Sequence, residues 1–307
     1  MSRLITVHNT ADEPIYDIVI EKDFSRLAEA VEKLGIKNRR ICIITESHVG
    51  PLYADAVKAE LEKTGNSIYV YTFEAGEANK NLNTVQDVYE FLIRNKFDRK
   101  DMLAALGGGV TGDLVGFAAA TYLRGISFIQ IPTSLLAQVD SSIGGKTGVD
   151  FRGYKNMVGA FYQPKLVYMN MSVHKSLDKR QFNSGFGEII KHGLIKDSAY
   201  YRWLRDNVDA IKALDYDALE YMIAGSCNIK REVVEKDPTE KGDRALLNFG
   251  HTLGHAIEKL KNFSLMHGQC VALGSLAASY LSMRRGQITE AELTAIKEAN
   301  IAFGLPV

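Results

Sequence analysis

The residues best suited to chemistry gather between Arg244 and Gly268, in RALLNFGHTLGHAIEKLKNFSLMHG, which carries three of the chain's seven histidines. His251 and His255 are four apart and share one face of a helix, and His267 follows just before Gly268. Imidazole is the commonest side-chain ligand for transition metals, and a metal centre draws its ligands from separate stretches of backbone. The spacing permits such a centre. It equally permits two structural histidines on a helix, because HTLGH lacks the glutamate of the HExxH signature. A second segment, Glu188-Ile-Ile-Lys191-His192, sets a carboxylate, an ammonium and an imidazole within about one helical turn, behind the Gly-rich Ser184-Gly185-Phe186-Gly187. A salt-bridged surface helix would also explain Glu188 and Lys191, but the neighbouring Gly and Ile are not the mixed charges of a solvated face.

Anion-binding candidates lie earlier in the chain. Gly107-Gly108-Gly109-Val110-Thr111-Gly112-Asp113 follows an apolar strand and leads into a helix. Glycines at such a turn let the backbone approach a ligand, and the helix N-terminus offers unpaired N–H groups to a phosphate. The stretch is a candidate dinucleotide pyrophosphate site. It is not the GxGxxG fingerprint, and a tight turn alone would account for it. Thr133 and Ser134 offer hydroxyls that either cap a helix or meet a cofactor. GGKT at Gly144–Thr147 looks like part of a P-loop, but Asp140 stands where that motif needs glycine, which excludes a nucleoside-triphosphatase reading. Lys146 and Lys155, in a stretch read as a Gly- and Ser-rich loop, are either anion ligands or solvated loop cations.

The elements that must position these groups change character along the chain. Leu4 to His8 and Ile15 to Glu21 read as a hairpin around Asn9–Pro14. After it, helical periods (Phe24 to Leu34, Leu52 to Leu61, Leu82 to Asn95, Leu114 to Thr121) alternate with strands at Ile41–Thr45, Ile68–Phe73, Met102–Leu106, Ile126–Ile131 and Leu166–Met169. Strands alternating with helices imply a parallel sheet covered on both faces. From Lys175 onward helical patterns dominate, at Tyr200–Trp203, Val208–Leu214, Leu219–Val234, Leu246–Leu260, Val271–Met283 and Glu290–Ala302. The expected division is an α/β half, 1–171, and an all-α half, 172–307.

Composition sets outer limits. At 307 residues two domains are expected, and 46% hydrophobic with 24% charged residues describes an ordinary folded protein. Lys plus Arg balances Asp plus Glu at 37 each, so no general electrostatic drive towards nucleic acid or anionic membrane exists. The three cysteines, Cys42, Cys227 and Cys270, are widely spaced without a CxxC pair, which fits reduced thiols in the cytoplasm. The N-terminus lacks a signal-peptide pattern, and Val271–Met283 is too short and too Ser-bearing to span a bilayer.

Taken together, GEANK (Gly76–Lys80), GGGVTGD, TYLRG, IPTSLLAQVDSSIGGKTGVD, YKNMVGAFYQP, GEIIKHG, LLNFGHTLGHAIE and MHGQCVALG run through most of the chain and resemble the 3-dehydroquinate synthases, a sugar phosphate cyclase family. The resemblance implies a Rossmann-like NAD-binding α/β domain, an all-α metal-binding domain and an active site in the cleft between them. It implies one zinc or cobalt ion per chain on Glu188, His251 and His267, with His192 structural. NAD contacts would come from Glu74, Glu77, Lys80, Gly108, Gly109, Val110, Thr111, Gly112, Asp113, Thr133, Ser134, Lys146, Lys155 and the turn Val173, His174, Lys175, Ser176. Asp140, Lys146, Asn156, Lys191, Lys230, Arg244, Asn248 and His255 would serve the substrate, with Asp140, Lys146, Lys191, Arg244, Asn248 and His255 also catalytic. Arg124 would reach in from the second subunit of a homodimer. The implied reaction converts 3-deoxy-D-arabino-heptulosonate 7-phosphate to 3-dehydroquinate and phosphate, with NAD regenerated each turnover. Family members continue into further helices carrying a substrate-facing lysine pair, so a chain lacking its C-terminal end is expected. A related inosose or valiolone synthase, a metal-dependent polyol dehydrogenase and a non-catalytic NAD-binding paralogue are the alternatives.

Overall fold

Seven strands frame the N-terminal half of the protein, whose computed structural model describes residues 2–261 and 264–307. β1 (Arg3–His8) and β2 (Pro14–Glu21) form the expected antiparallel hairpin. Its turn is held by the Asn9 side-chain carbonyl, which accepts the N–H groups of Ala11 and Glu13 at 2.9 Å. β2 joins β9 (Leu166–Asn170), and parallel pairing continues through β6 (Ser127–Pro132), β5 (Met102–Gly107), β3 (Arg40–Glu46) and β4 (Ser67–Phe73), in the order β1-β2-β9-β6-β5-β3-β4. β3 and β5 are apolar without alternation because both faces are covered. Cys42, Ile44, Leu103 and Ala105 pack against α3 (Leu82–Arg94) and α4 (Gly109–Thr121). Ile41, Ile43, Met102 and Ala104 pack on the other side against α1 (Leu27–Glu32) and α2 (Gly50–Glu62).

Three boundaries in this half differ from expectation. The Phe24–Leu34 period yields a helix of only six residues. α4 begins at Gly109, so the Gly-rich stretch is itself the first turn of the helix and not a loop ahead of it. The segment holding Lys146 and Lys155 is a hairpin, β7 (Lys146–Phe151) with β8 (Tyr154–Phe161), and not a loop. Its strands hid behind glycine: Gly148 pairs with Gly159, and a Cβ on either would overlap the backbone of the other strand.

Helices make up the other half: α5 (Lys179–Lys196), α6 (Ser198–Asp206), α7 (Val208–Lys212), α8 (Tyr216–Lys236), α9 (His251–Leu260), α10 (His267–Arg284) and α11 (Glu290–Ala302). Asp178, Asp197, Asp215 and Thr289 cap α5, α6, α8 and α11 by accepting first-turn N–H groups. The single helix expected over Leu246–Leu260 is broken: a 3₁₀ turn over Asp243–Asn248 ends, Gly250 takes φ 77°, and α9 starts afresh at His251. α10 begins at His267, four residues before the expected Val271, with Gln269 Oε1 accepting the Met266 N–H at 3.1 Å. Backbone contacts divide the chain into compact units Met1–Val173 and His174–Val307. Among the described residues no helix is long and apolar enough to cross a membrane.

Candidate active site

Glycine brings the metal-ligand candidates together. Gly187 precedes Glu188 on α5, Gly268 follows His267 on α10, and the two glycines touch: a Cβ on Gly187 would overlap the Gly268 carbonyl, and one on Gly268 the Ser184 carbonyl. The Gly268 N–H donates to Ser184 Oγ at 3.2 Å across the same crossing. α9 meets α10 in the same manner, with Gly250 against Ser275, Gly254 against Cys270 and Gly274 against the Gly250 carbonyl. Three helices at this separation aim three short side chains at one point.

His251 Nε2 lies 3.7 Å and His267 Nε2 3.4 Å from Glu188 Oε1. One ligand atom from each residue falls within 4.8 Å of the others. Glu188 is fully buried, and its Oε1 has no hydrogen-bond partner among the described residues. Its Oε2 accepts from Lys191, whose ammonium also donates to the Leu247 carbonyl at 2.7 Å. Burial opposes ionisation of Glu188, but Lys191 and the facing imidazoles outweigh it and hold the carboxyl well below its ordinary range. Burial pushes His251 down, against the pull of Glu188, which favours the neutral, ligating form. A buried anionic oxygen turned to two imidazole nitrogens is costly unless something cationic satisfies it. One carboxylate with two imidazoles is a donor set for zinc or cobalt that leaves positions open, so these residues fit a divalent cation.

Other expected residues of the helical unit lie around this centre in different states. His255 is exposed, its ring centroid 5.1 Å from that of His251 and 6.0 Å from that of His267. His192 is buried with Nδ1 2.6 Å from Ser226 Oγ on α8 and Nε2 3.9 Å from Glu188 Oε2. Lys230 is buried on α8. Arg244 is 1% exposed, donating from Nη1 to the Pro238 carbonyl at 2.7 Å, and Asn248 Nδ2 donates to Glu240 at 3.0 Å. His174 is buried against Phe182, and burial pushes its imidazole down to about 4. Lys175 and Ser176 are exposed. Glu258, which sequence reasoning passed over, is buried on α9 with Oε2 3.9 Å from His267 Nδ1. Its signal was the seven-residue step from His251, two helical turns along one face.

In the α/β unit, Lys80 is the hub. Its buried ammonium donates at 2.6 Å both to Asp113 on α4 and to Asn156 on β8, while the Lys80 carbonyl accepts the Asp150 N–H at 2.8 Å. Burial raises Asp113, with Lys80 acting against it. Lys155 approaches Glu77 at 3.6 Å, and Glu74 accepts from Ser47 at 3.1 Å. Gly108 leads into α4, where Gly109 and Val110 are part-buried and Thr111 buried. Gly112 lies close against Gln130 of β6. Thr133 is buried, its N–H bonded to the Gly107 carbonyl, and Ser134 Oγ accepts the Ala137 N–H at 3.3 Å, a capping contact that does not use its hydroxyl proton. Asp140 stands in a π-turn over Ala137–Ser141. Lys146 is exposed at the start of β7, and Val173 is buried, accepting from the Tyr53 hydroxyl at 3.4 Å. Arg124 is exposed, and with Leu123 it forms a pair of non-glycine residues at positive φ, 68° and 51°. Non-glycine residues at positive φ are uncommon, so two in succession mark a strained turn.

Comparison with known proteins places this geometry in a family. A family model described as 3-dehydroquinate synthase N-terminal matches residues 70–184, and one described as 3-dehydroquinate synthase C-terminal matches 185–307. The chain is 44% identical over 303 residues to the 3-dehydroquinate synthase of Acetivibrio thermocellus, covering 99% of this chain and 84% of that protein. A crystal structure of 2-deoxy-scyllo-inosose synthase complexed with carbaglucose-6-phosphate, NAD+ and Co2+ superposes with TM-score 0.88 at 27% identity, over 99% of this chain and 81% of that one. The 2-epi-5-epi-valiolone synthase of Streptomyces hygroscopicus subsp. jinggangensis, with NAD+ and Zn2+ bound, superposes with TM-score 0.87 at 28% identity, over 95% and 81%. By both of its halves, the chain belongs to the 3-dehydroquinate synthase family.

Proposed function

We infer that this protein is a 3-dehydroquinate synthase, a carbon–oxygen lyase and cyclase that converts 3-deoxy-D-arabino-heptulosonate 7-phosphate to 3-dehydroquinate and phosphate with NAD and a divalent cation. The observation that carries the cation dependence is Glu188 Oε1, buried without a hydrogen bond among the described residues and facing the Nε2 atoms of His251 and His267. When bound, NAD supplies reversible hydride removal and the cation acidifies the hydroxyls it coordinates.

The protein's own groups do the rest. Lys191 fixes the second oxygen of Glu188, so the first stays aimed at the imidazoles. The Arg244 guanidinium and the Lys230 and Lys146 ammoniums are the cations for the carboxylate and phosphate ends of the substrate, Arg as a planar fork and Lys as a point charge. Asn248, Asn156 and Asp140 bind hydroxyls, and the exposed imidazole of His255 carries protons to and from them. Glu74, Glu77, Lys80, Gly108 to Asp113, Thr133, Ser134, Lys146, Lys155 and Val173 to Ser176 hold NAD, the α4 N-terminus meeting its pyrophosphate. Arg124, exposed on its left-handed turn, serves the site of a second copy in a homodimer. Cys42, Cys227 and Cys270 are buried outside any disulfide, as suits the cytoplasm.

Incubating the protein with the heptulosonate 7-phosphate, NAD and zinc tests the reading. Phosphate and dehydroquinate should appear in equal amounts, without net NADH absorbance, and a chelator should abolish both until zinc or cobalt is restored. Accumulating NADH would instead mark a polyol dehydrogenase, and turnover only with another sugar phosphate would mark a different cyclase.

A further inference from the structure

His267 has two ring nitrogens, and each faces a carboxylate. Nε2 lies 3.4 Å from Glu188 Oε1, and Nδ1 lies 3.9 Å from Glu258 Oε2. Glu258 is 6% exposed, on the same face of α9 as His251. His251 shows the same arrangement with backbone in place of a side chain: its Nδ1 is 3.3 Å from the Phe249 carbonyl oxygen, while Nε2 faces Glu188. A neutral imidazole carries its proton on one nitrogen and its lone pair on the other. A hydrogen-bond acceptor at Nδ1, as the Phe249 carbonyl is for His251, or a carboxylate charge 3.9 Å from it, as Glu258 is for His267, favours the proton there and leaves the lone pair on Nε2.

We propose that Glu258 is the positioning residue for His267, the carboxylate that holds its Nε2 lone pair towards the cation site as the Phe249 carbonyl does for His251. In this role Glu258 acts through His267 and is not itself a ligand. α9 therefore contributes twice to the centre, with His251 as a ligand and with Glu258 as the group that aims the ligand borne by α10. The inference rests on the assignment of Glu188, His251 and His267 as ligands. A competing use of the same groups exists, because His255, Glu258 and His267 also bring ligand atoms within 4.8 Å of one another and could hold a second cation.

Zinc titration against a chromophoric chelator, on the full chain and on Glu258→Gln, Glu258→Asp and His267→Ala, separates the possibilities. The expected result is one zinc per wild-type chain, an affinity about 10–100-fold weaker in Glu258→Gln, an intermediate loss in Glu258→Asp, and none bound by His267→Ala. The cobalt form of Glu258→Gln should show shifted visible absorption bands while its metal-free melting matches wild type. Wild-type zinc affinity in Glu258→Gln, with zinc still lost in His267→Ala, overturns the positioning role alone. Should Glu258→Gln fail to fold, unchanged affinity in Glu258→Asp does the same. Two zinc ions per wild-type chain, falling to one in Glu258→Gln, overturns it in favour of the second cation site. Zinc retained by His267→Ala overturns the ligand assignment itself.

Discussion

Glu188 divides its oxygens between two tasks, Oε2 to the Lys191 ammonium and Oε1 to the imidazoles of His251 and His267. Removing one partner of a buried ion pair leaves the other charge uncompensated, which costs more than the pair contributes. Lys191→Met should therefore destabilise the metal-free protein by about 3–5 kcal/mol, read by urea unfolding, with a smaller loss when zinc is bound. His174 gives a pH prediction. Its folded pKa is about 4 because of burial, against 6.5 for the free group, so between those values the unfolded chain binds more protons. Its contribution is complete above pH 6.5 and is lost as pH falls towards 4, up to about 3 kcal/mol at 1.36 kcal/mol per unit. Unfolding at pH 7 and pH 4.5 checks this: His174→Phe should lose less stability on acidification than wild type. The candidates for the proposed cation site were legible because Glu188, His251 and His267 sit in GEIIKHG, HTLGH and MHG, all dense in chemistry. Glu258 was passed over, since a lone glutamate on a helix most often faces water; its seven-residue step from His251 was the signal, and the packing of α9 buries it.

At the scale of elements, glycine sets the geometry. Gly187 and Gly268 let α5 and α10 meet backbone to backbone beside two of the three proposed ligands. Neither glycine has positive φ, so alanine is tolerated conformationally and penalised only by the close approach. Gly268→Ala should force the helices apart, costing about 1–3 kcal/mol of stability and most of the zinc affinity. Chelator competition and thermal melting on the same sample check it, and retained affinity would show that the crossing does not aim the ligands. The long apolar strands and helices of the α/β half could be read from period alone. The β7–β8 hairpin could not, because Gly148 and Gly159 remove the side chains that would have displayed alternation. The break before α9 was missed for a related reason: Leu246 to Leu260 keeps a helical period across Gly250, and only the left-handed turn there resets it.

At the scale of the whole molecule, α/β followed by all-α was legible from the change in rhythm. The strand order β1-β2-β9-β6-β5-β3-β4 was not, since strand neighbours are chosen by long-range packing. Arg124 carries the prediction that belongs here. If it serves the site of a second copy, Arg124→Ala and His267→Ala, each inactive alone, should regain activity when unfolded together and refolded as a mixture. Half the dimers would be mixed and each would hold one intact site, giving about a quarter of wild-type turnover. No recovery would place Arg124 in the site of its own chain.

The Lys80 latch has a consequence for the binding of both ligands. Its ammonium joins Asp113, within the stretch proposed for the nucleotide, to Asn156, proposed for the sugar phosphate, so both ligands act on one charge. A nucleotide that draws Lys80 towards itself releases Asn156, and β8 is then untied at one point. Linkage makes that effect reciprocal. The nucleotide and the sugar phosphate should thus tighten each other's binding by the same factor, each meeting a Lys80 contact that the other has already loosened.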